Sequence, residues 1–243
     1  MKYILYPRFT ILYVVLCLMV MAAGHLQLTW TYYLTKPFVL IMLMVFFRLQ
    51  TSGTQNRMFR NLMVGGFLFS ATGDFLLMFS DINDNYFISG LIAFLFAHLC
   101  YTGGFISQIF QNRPWNQHWG QLAVSTMIVV YGAEFFILNR SGFGYLALPV
   151  MIYCVAITAM GVAAVMRNRY KNANGYFRVV TGALFFVISD SLLATNKFIA
   201  PIEGAGLLIL GTYFLGQYLI ATGCMVDIQK PVLKKPEQLF DKV

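Results

Sequence analysis

The chain has 243 residues, 59% of them hydrophobic and only 11% charged, with a mean hydropathy of +0.69. A soluble domain carries about 25% charged residues, so a water-soluble enzyme or binding module is excluded. The net charge of +8 would suggest nucleic acid in a soluble protein, but no basic stripe with interleaved aromatics is present, and no nucleic-acid partner is expected.

Eight apolar segments can be marked in chain order: 9–23, 37–47, 61–79, 87–109, 121–138, 145–166, 178–198 and 206–228. Several reach the ~20 residues a helix needs to cross ~30 Å of hydrocarbon. The first reads as a retained helix, because Met21-Ala-Ala-Gly24 lacks a small-x-small cleavage site and further spans follow. The second is short. It recruits Tyr32-Tyr33-Leu34 across Lys36-Pro37, giving a helix over 32–47 with the proline near its first turn. The prediction is one all-α membrane domain of eight transmembrane helices, followed by a short basic tail over 229–243. With a cytoplasmic N-terminus, 14 of the 17 basic residues fall on the inner side, leaving Lys36, Arg140 and Lys197 outside. The positive-inside rule then places both termini in the cytoplasm. The location implied is integral and multi-pass, in the bacterial inner membrane or, in a eukaryote, an endomembrane; membrane lipids are the expected surroundings. Nothing in the sequence sets an oligomeric state.

Two of these segments carry an aspartate in nearly the same frame. Gly66-Phe-Leu-Phe-Ser-Ala-Thr-Gly-Asp74-Phe-Leu-Leu77 matches Gly182-Ala-Leu-Phe-Phe-Val-Ile-Ser-Asp190-Ser-Leu-Leu193 at an offset of 116. The match continues from Phe94-Leu-Phe-Ala-His98 to Tyr213-Phe-Leu-Gly-Gln217 at offset 119. Helices 3–4 thus resemble helices 7–8, which implies two parallel repeats of four helices with a site at their interface. An ionised Asp at the centre of a membrane helix costs ~2.5–3.5 kcal/mol, so a chain that accepts it twice uses the pair for chemistry or transport. At 1.5 Å rise per residue, Asp74, Asp190, His98 and Gln217 all fall within about one helical turn of a common plane, which predicts one shared site. Ser70 shares the Asp74 face and Ser189 precedes Asp190. Small residues there would let the helices approach. The structural alternative is that each Asp, His98 and the Gln217–Tyr213 pair act as interhelical hydrogen-bonding glue. For Lys36 and Lys197, at outer helix ends, the alternative is snorkelling.

Other site types fall away. The three histidines, His25, His98 and His118, cannot meet in one intramembrane zinc site. Cys17, Cys100, Cys154 and Cys224 are spread singly without metal-ligand spacing. Asp81-Ile-Asn-Asp-Asn85 lacks the glycine and closing glutamate of an EF-hand. No phosphate loop or Gly-x-Ser-x-Gly elbow occurs. No metal and no cofactor are expected.

The ordered set Lys36-Pro37, Gly73-Asp74-x-x-Leu77, Phe94-x-x-x-His98-x-x-Tyr101, Ser189-Asp190-Ser-Leu-Leu-Ala194 with Lys197-Phe198, and Tyr213-x-x-x-Gln217-x-Leu-Ile220 resembles the YhhN family of eight-helix membrane proteins, the lysoplasmalogenase family. The resemblance implies hydrolysis of the vinyl-ether bond of a lysoplasmalogen or related lyso-ether phospholipid, giving a fatty aldehyde and glycerophosphoethanolamine or glycerophosphocholine. It carries the catalytic role onto Asp74 and Asp190. One would donate the proton and the other would orient water and stabilise the cation. His98, Tyr213, Gln217, Ser70 and Ser189 would position substrate or water, and Lys36 or Lys197 would meet the phosphate. On the residues alone, a proton- or cation-coupled transporter fits the midplane carboxylates equally well, and a non-catalytic lipid-binding bundle is a third reading.

Overall fold

The computed structural model describes residues 6–54, 56–111, 119–167 and 173–228. The basic tail over 229–243 and His118 lie outside the described residues. Among those described, the chain forms α1 (Pro7–His25), α2 (Thr29–Gln50), α3 (Arg57–Leu77), α4 (Asp84–Gln111), α5 (Trp119–Asn139), α6 (Ala147–Met166), α7 (Ala173–Phe198) and α8 (Ala205–Ile228), with no strand. A 3-10 turn, Arg140–Leu146, joins α5 to α6.

Six stretches are long and apolar enough to cross a membrane, one of them the continuous run Trp119–Met166 that holds both α5 and α6. The sequence led to an expectation of eight crossings. α3 does not qualify by composition, because Arg57, Arg60, Asn61 and Asp74 lower its hydropathy. A second difference concerns α2. It starts at Thr29, so Pro37 lies in the helix interior and not near its first turn. The threonines and Trp30 of that first turn do not register as an apolar segment, yet they are helical. Pro37 has no N–H, so the helix loses the bond that would reach the carbonyl four residues earlier.

Successive helices run in opposite directions, as their end contacts show. At one end, the Arg60 guanidinium near the start of α3 donates to the Ser52 carbonyl just after α2 (3.2 Å). Gln121, at the start of α5, donates to the carbonyls of Val165 (2.7 Å) and Arg167 (2.9 Å) at the end of α6. Tyr176, at the start of α7, donates to Val165 as well (2.9 Å). Arg167 reaches Gln108 on α4 (2.6 Å) and pairs with Asp227 on α8. At the other end, Lys197 of α7 meets Asp84 of α4 (3.1 Å).

The closest helix pairs are α3 with α4 and α7 with α8. Glycines explain both. A methyl group on Gly182 would lie 2.7 Å from the Gly216 carbonyl oxygen, so the α7 and α8 backbones touch there. Gly66 and Gly73 form notches in α3 that the rings of Tyr101 and Phe94 fill. Small residues are how membrane helices gain packing contact when lipid removes the hydrophobic drive.

Candidate functional site

Most of the predicted site residues are buried in the bundle, but they form two clusters instead of one. In the first, Asp74 is 3% exposed and both its oxygens are engaged. Oδ2 accepts from the Tyr213 hydroxyl at 2.8 Å. Oδ1 lies 3.8 Å from the Lys36 ammonium, which is itself 5% exposed and sits over the Tyr32 ring. One turn further along the same faces, Gln217 donates to Ser70 (3.1 Å) and accepts from Tyr101 (2.8 Å). The i, i+4 pair Ser70/Asp74 on α3 is thus zipped to the i, i+4 pair Tyr213/Gln217 on α8.

In the second cluster, the Asp190 carboxylate meets His98 and Tyr153. Tyr153 donates to Oδ2 at 2.5 Å, and His98 Nε2 lies 3.1 Å from the same oxygen and 3.0 Å from the Tyr153 hydroxyl. The other imidazole nitrogen, Nδ1, faces the Met160 sulfur at 3.4 Å. His98 is fully buried, while the Asp190 side chain keeps 12% exposure. Among the described residues Oδ1 of Asp190 has no hydrogen bond. Asp190 also borders a narrow groove that runs between α4, α5, α6 and α7. Its walls are mostly apolar: Phe87, Leu91, Phe135, Ile157, Val187 and Phe198.

Aromatic rings separate the clusters. Tyr213 packs on Phe94 (5.8 Å) and Phe186 (5.4 Å), and Phe186 packs on His98 (4.8 Å). The notch at Gly73, next to Asp74, holds the Phe94 ring. The expected common plane does not become one shared contact set. No hydrogen bond joins Asp74 to Asp190 among the described residues, and each carboxylate has its own partners.

The remaining predicted residues lie apart. Ser189 donates to the Ile209 carbonyl (2.9 Å), tying α7 to α8 beside Asp190. Lys197 lies at the rim, 38% exposed, paired with Asp84 and over the Phe87 ring. Tyr153 was not singled out from the sequence. A lone tyrosine in the middle of an apolar helix was the available signal, since a buried phenol needs a partner. Above Lys36, Asp74 and Tyr213, a second opening of about 1260 Å³, open side included, is lined by Tyr32, Met78 and Leu210. Each of these lies one helical turn from a member of the first cluster. Among the described residues, no group of three His, Cys, Asp or Glu could hold a metal ion.

A helical bundle with six membrane-length apolar stretches and buried carboxylate clusters is an integral, multi-pass membrane protein. Residues 31–224 match the YhhN family, and the chain belongs to it. It is 32% identical to the lysoplasmalogenase TMEM86A of Homo sapiens over 170 residues, 69% of this chain and 66% of that protein. It is 31% identical to the lysoplasmalogenase of Mycobacterium tuberculosis over 174 residues, 71% of this chain and 63% of that protein. The lysoplasmalogenase TMEM86B of Sus scrofa is 28% identical over 208 residues, 86% of this chain and 80% of that protein. The chain therefore spans just under two thirds of the length of the human TMEM86A and mycobacterial relatives. No solved structure matches the chain.

Proposed function

We propose that the protein is a lysoplasmalogenase-like hydrolase that cleaves the vinyl-ether bond of a lyso-ether phospholipid, with the reacting carboxylate on Asp190. The observation that carries this is the Asp190–His98–Tyr153 cluster at the wall of an apolar groove. A thioether can only accept a hydrogen bond, so His98 Nδ1, facing Met160, is assigned the proton. A neutral ring would then turn a bare Nε2 toward a carboxylate oxygen 3.1 Å away, with a single tyrosine proton for two acceptors. The arrangement is satisfied when His98 and Asp190 together hold one further proton. That proton is the acid.

In the reaction, the alkenyl chain lies in the groove and the proton passes to the β-carbon of the vinyl ether. A C–H bond forms, the π bond is consumed, and an oxocarbenium ion results. Water adds to it and returns a proton to the Asp190 centre. In the hemiacetal so formed, the hydroxyl proton is passed to the glycerol oxygen as the C–O bond breaks, which releases the glycerol hydroxyl and leaves a fatty aldehyde. The sequence resembles glycoside hydrolysis, where carboxyl groups also serve an oxocarbenium-like state. Asp74 supplies a fixed negative charge across the aromatic layer and, through Tyr213, holds Phe186 against His98. Gln217, Ser70 and Ser189 position the helices. Lys197 lies seven residues beyond Asp190, ~10 Å along the helix, at the groove's outer rim beside Phe87, where it would meet the phosphate.

The membrane topology in this reading has eight crossings and both termini in the cytoplasm, with α3 spanning inside the bundle. In this reading the chain is a parallel repeat of four helices, in which α3 bonds to α8 and α4 to α7. Exchanging the two halves exchanges those two pairings.

The test is aldehyde release from a lysoplasmalogen by protein purified in detergent, alongside Asp190→Asn. Wild-type turnover in the variant refutes the assignment. A proton-coupled transporter is favoured by one observation, the buried Lys36–Asp74 pair one turn below the wider opening. Substrate-dependent proton flux in liposomes without product formation would establish it instead.

A further inference from the structure

A third cleft lies between the end of α2 and the start of α3, far from both carboxylate clusters. It encloses about 530 Å³, open side included, and is lined by Met44, Val45 and Leu49 below and by Arg48, Ser52 and Arg60. The two guanidinium groups have no carboxylate partner among the described residues. Arg60 spends one nitrogen on the Ser52 carbonyl, and its Nε is buried without any hydrogen-bond partner. A buried donor without an acceptor is costly, so the cleft is built for an occupant that brings acceptor oxygens. Apolar walls along the bilayer-facing part of α2 and two cations at the helix ends match a molecule with an acyl tail and an anionic head.

We propose that this cleft binds an anionic phospholipid, its acyl chain along Met44, Val45 and Leu49 and its phosphate between Arg48 and Arg60. The planar, multi-donor guanidinium suits phosphate oxygens. Bound lipid would tie the ends of the two helices that carry Lys36 and Asp74. The proposal does not depend on the hydrolase reading.

The experiment reconstitutes wild type, R48Q, R48Q/R60Q and R140Q in nanodiscs of phosphatidylcholine with or without phosphatidylglycerol. It measures co-purifying lipid by native mass spectrometry, and thermal unfolding. Wild type is expected to retain phosphatidylglycerol over phosphatidylcholine. The preference should fall about fivefold in R48Q, an exposed residue whose change leaves the fold intact, and about 30-fold in the double variant. Arg140 is at the opposite end of the bundle, so R140Q should behave as wild type. Equal retention of phosphatidylglycerol in R48Q overturns the proposal, as does equal retention of phosphatidylcholine by wild type. Inorganic phosphate that stabilises the detergent-purified protein as well as phosphatidylglycerol does would also overturn it, because the site would then bind a free anion.

Discussion

Replacing Asp74 with Asn separates what the carboxylate does for the fold from what it does for chemistry. The Tyr213 hydroxyl can still donate to an asparagine oxygen at the same position, 2.8 Å away. The Lys36 ammonium, 3.8 Å away and 5% exposed, loses its counter-charge. Breaking a buried ion pair from one side destabilises by about 3–5 kcal/mol, because an uncompensated charge stays behind. For a chain of this size that is a drop of roughly 6–20 °C in Tm. Lys36→Met alone should cost a similar amount, and the double variant should recover most of it, since a neutral pair leaves no buried charge. A double-mutant cycle in detergent, read by thermal unfolding, gives the coupling directly. Additive losses would refute the paired-charge reading. Aldehyde release from the rescued double variant then reports on catalysis alone. If it turns over at the wild-type rate, Asp74 serves only the fold.

Asp190→Asn should lower aldehyde release at least ~100-fold with little change in Tm, the low end of general acid–base effects. Tyr153→Phe removes one donor to the Asp190 carboxylate and should lose about tenfold in kcat, checked in the same assay. Cys154→Phe fills the apolar groove and should raise KM for long-chain substrates more than for short-chain ones, read from a chain-length series. Gly182→Leu forces α7 from α8 and should abolish the folded peak in size-exclusion chromatography, whereas Gly120→Ala, with open space around it, should not. Turnover should survive EDTA; loss that zinc or magnesium restores would show a metal-dependent step.

The all-helical, multi-pass class was legible because bilayer thickness imposes a length and an apolarity on each segment, and both are printed in the sequence. Helix rise converts residue counts to ångströms, so an expected depth could be set for each polar residue. Rotation about each helix axis was not legible. Asp74 and Asp190 lie at similar expected depth, yet Asp74 turns to α2 and α8 and Asp190 to α4 and α6. What turns them apart is the filling of the space between by Phe94, Phe186 and Tyr213, which read in the sequence as three more aromatics among 37 Phe and Tyr residues. Tyr153 was hidden in the same way: nothing marks its hydroxyl as paired until α6 is placed against α4 and α7. The interior position of Pro37 escaped notice because the first turn of α2, with Thr29, Trp30 and Thr31, is too polar to read as part of a span.

The two carboxylates meet the same cost in different ways. An ionised carboxylate in a low-dielectric bundle needs a polar or charged partner on each oxygen or it destabilises the fold. Asp74 meets that demand: a tyrosine holds one oxygen and an ammonium the other, and almost none of it is exposed. Adding a proton to a carboxylate held in this way would remove the charge that the Lys36 ammonium faces. Asp190 does not meet the demand. Its two polar neighbours, Tyr153 and His98, crowd onto Oδ2, and among the described residues Oδ1 has no hydrogen bond, beside an apolar groove. A fold concerned only with stability would have divided two donors between two oxygens. Concentrating both contacts on one oxygen fixes the carboxylate's orientation and leaves the other oxygen beside the groove.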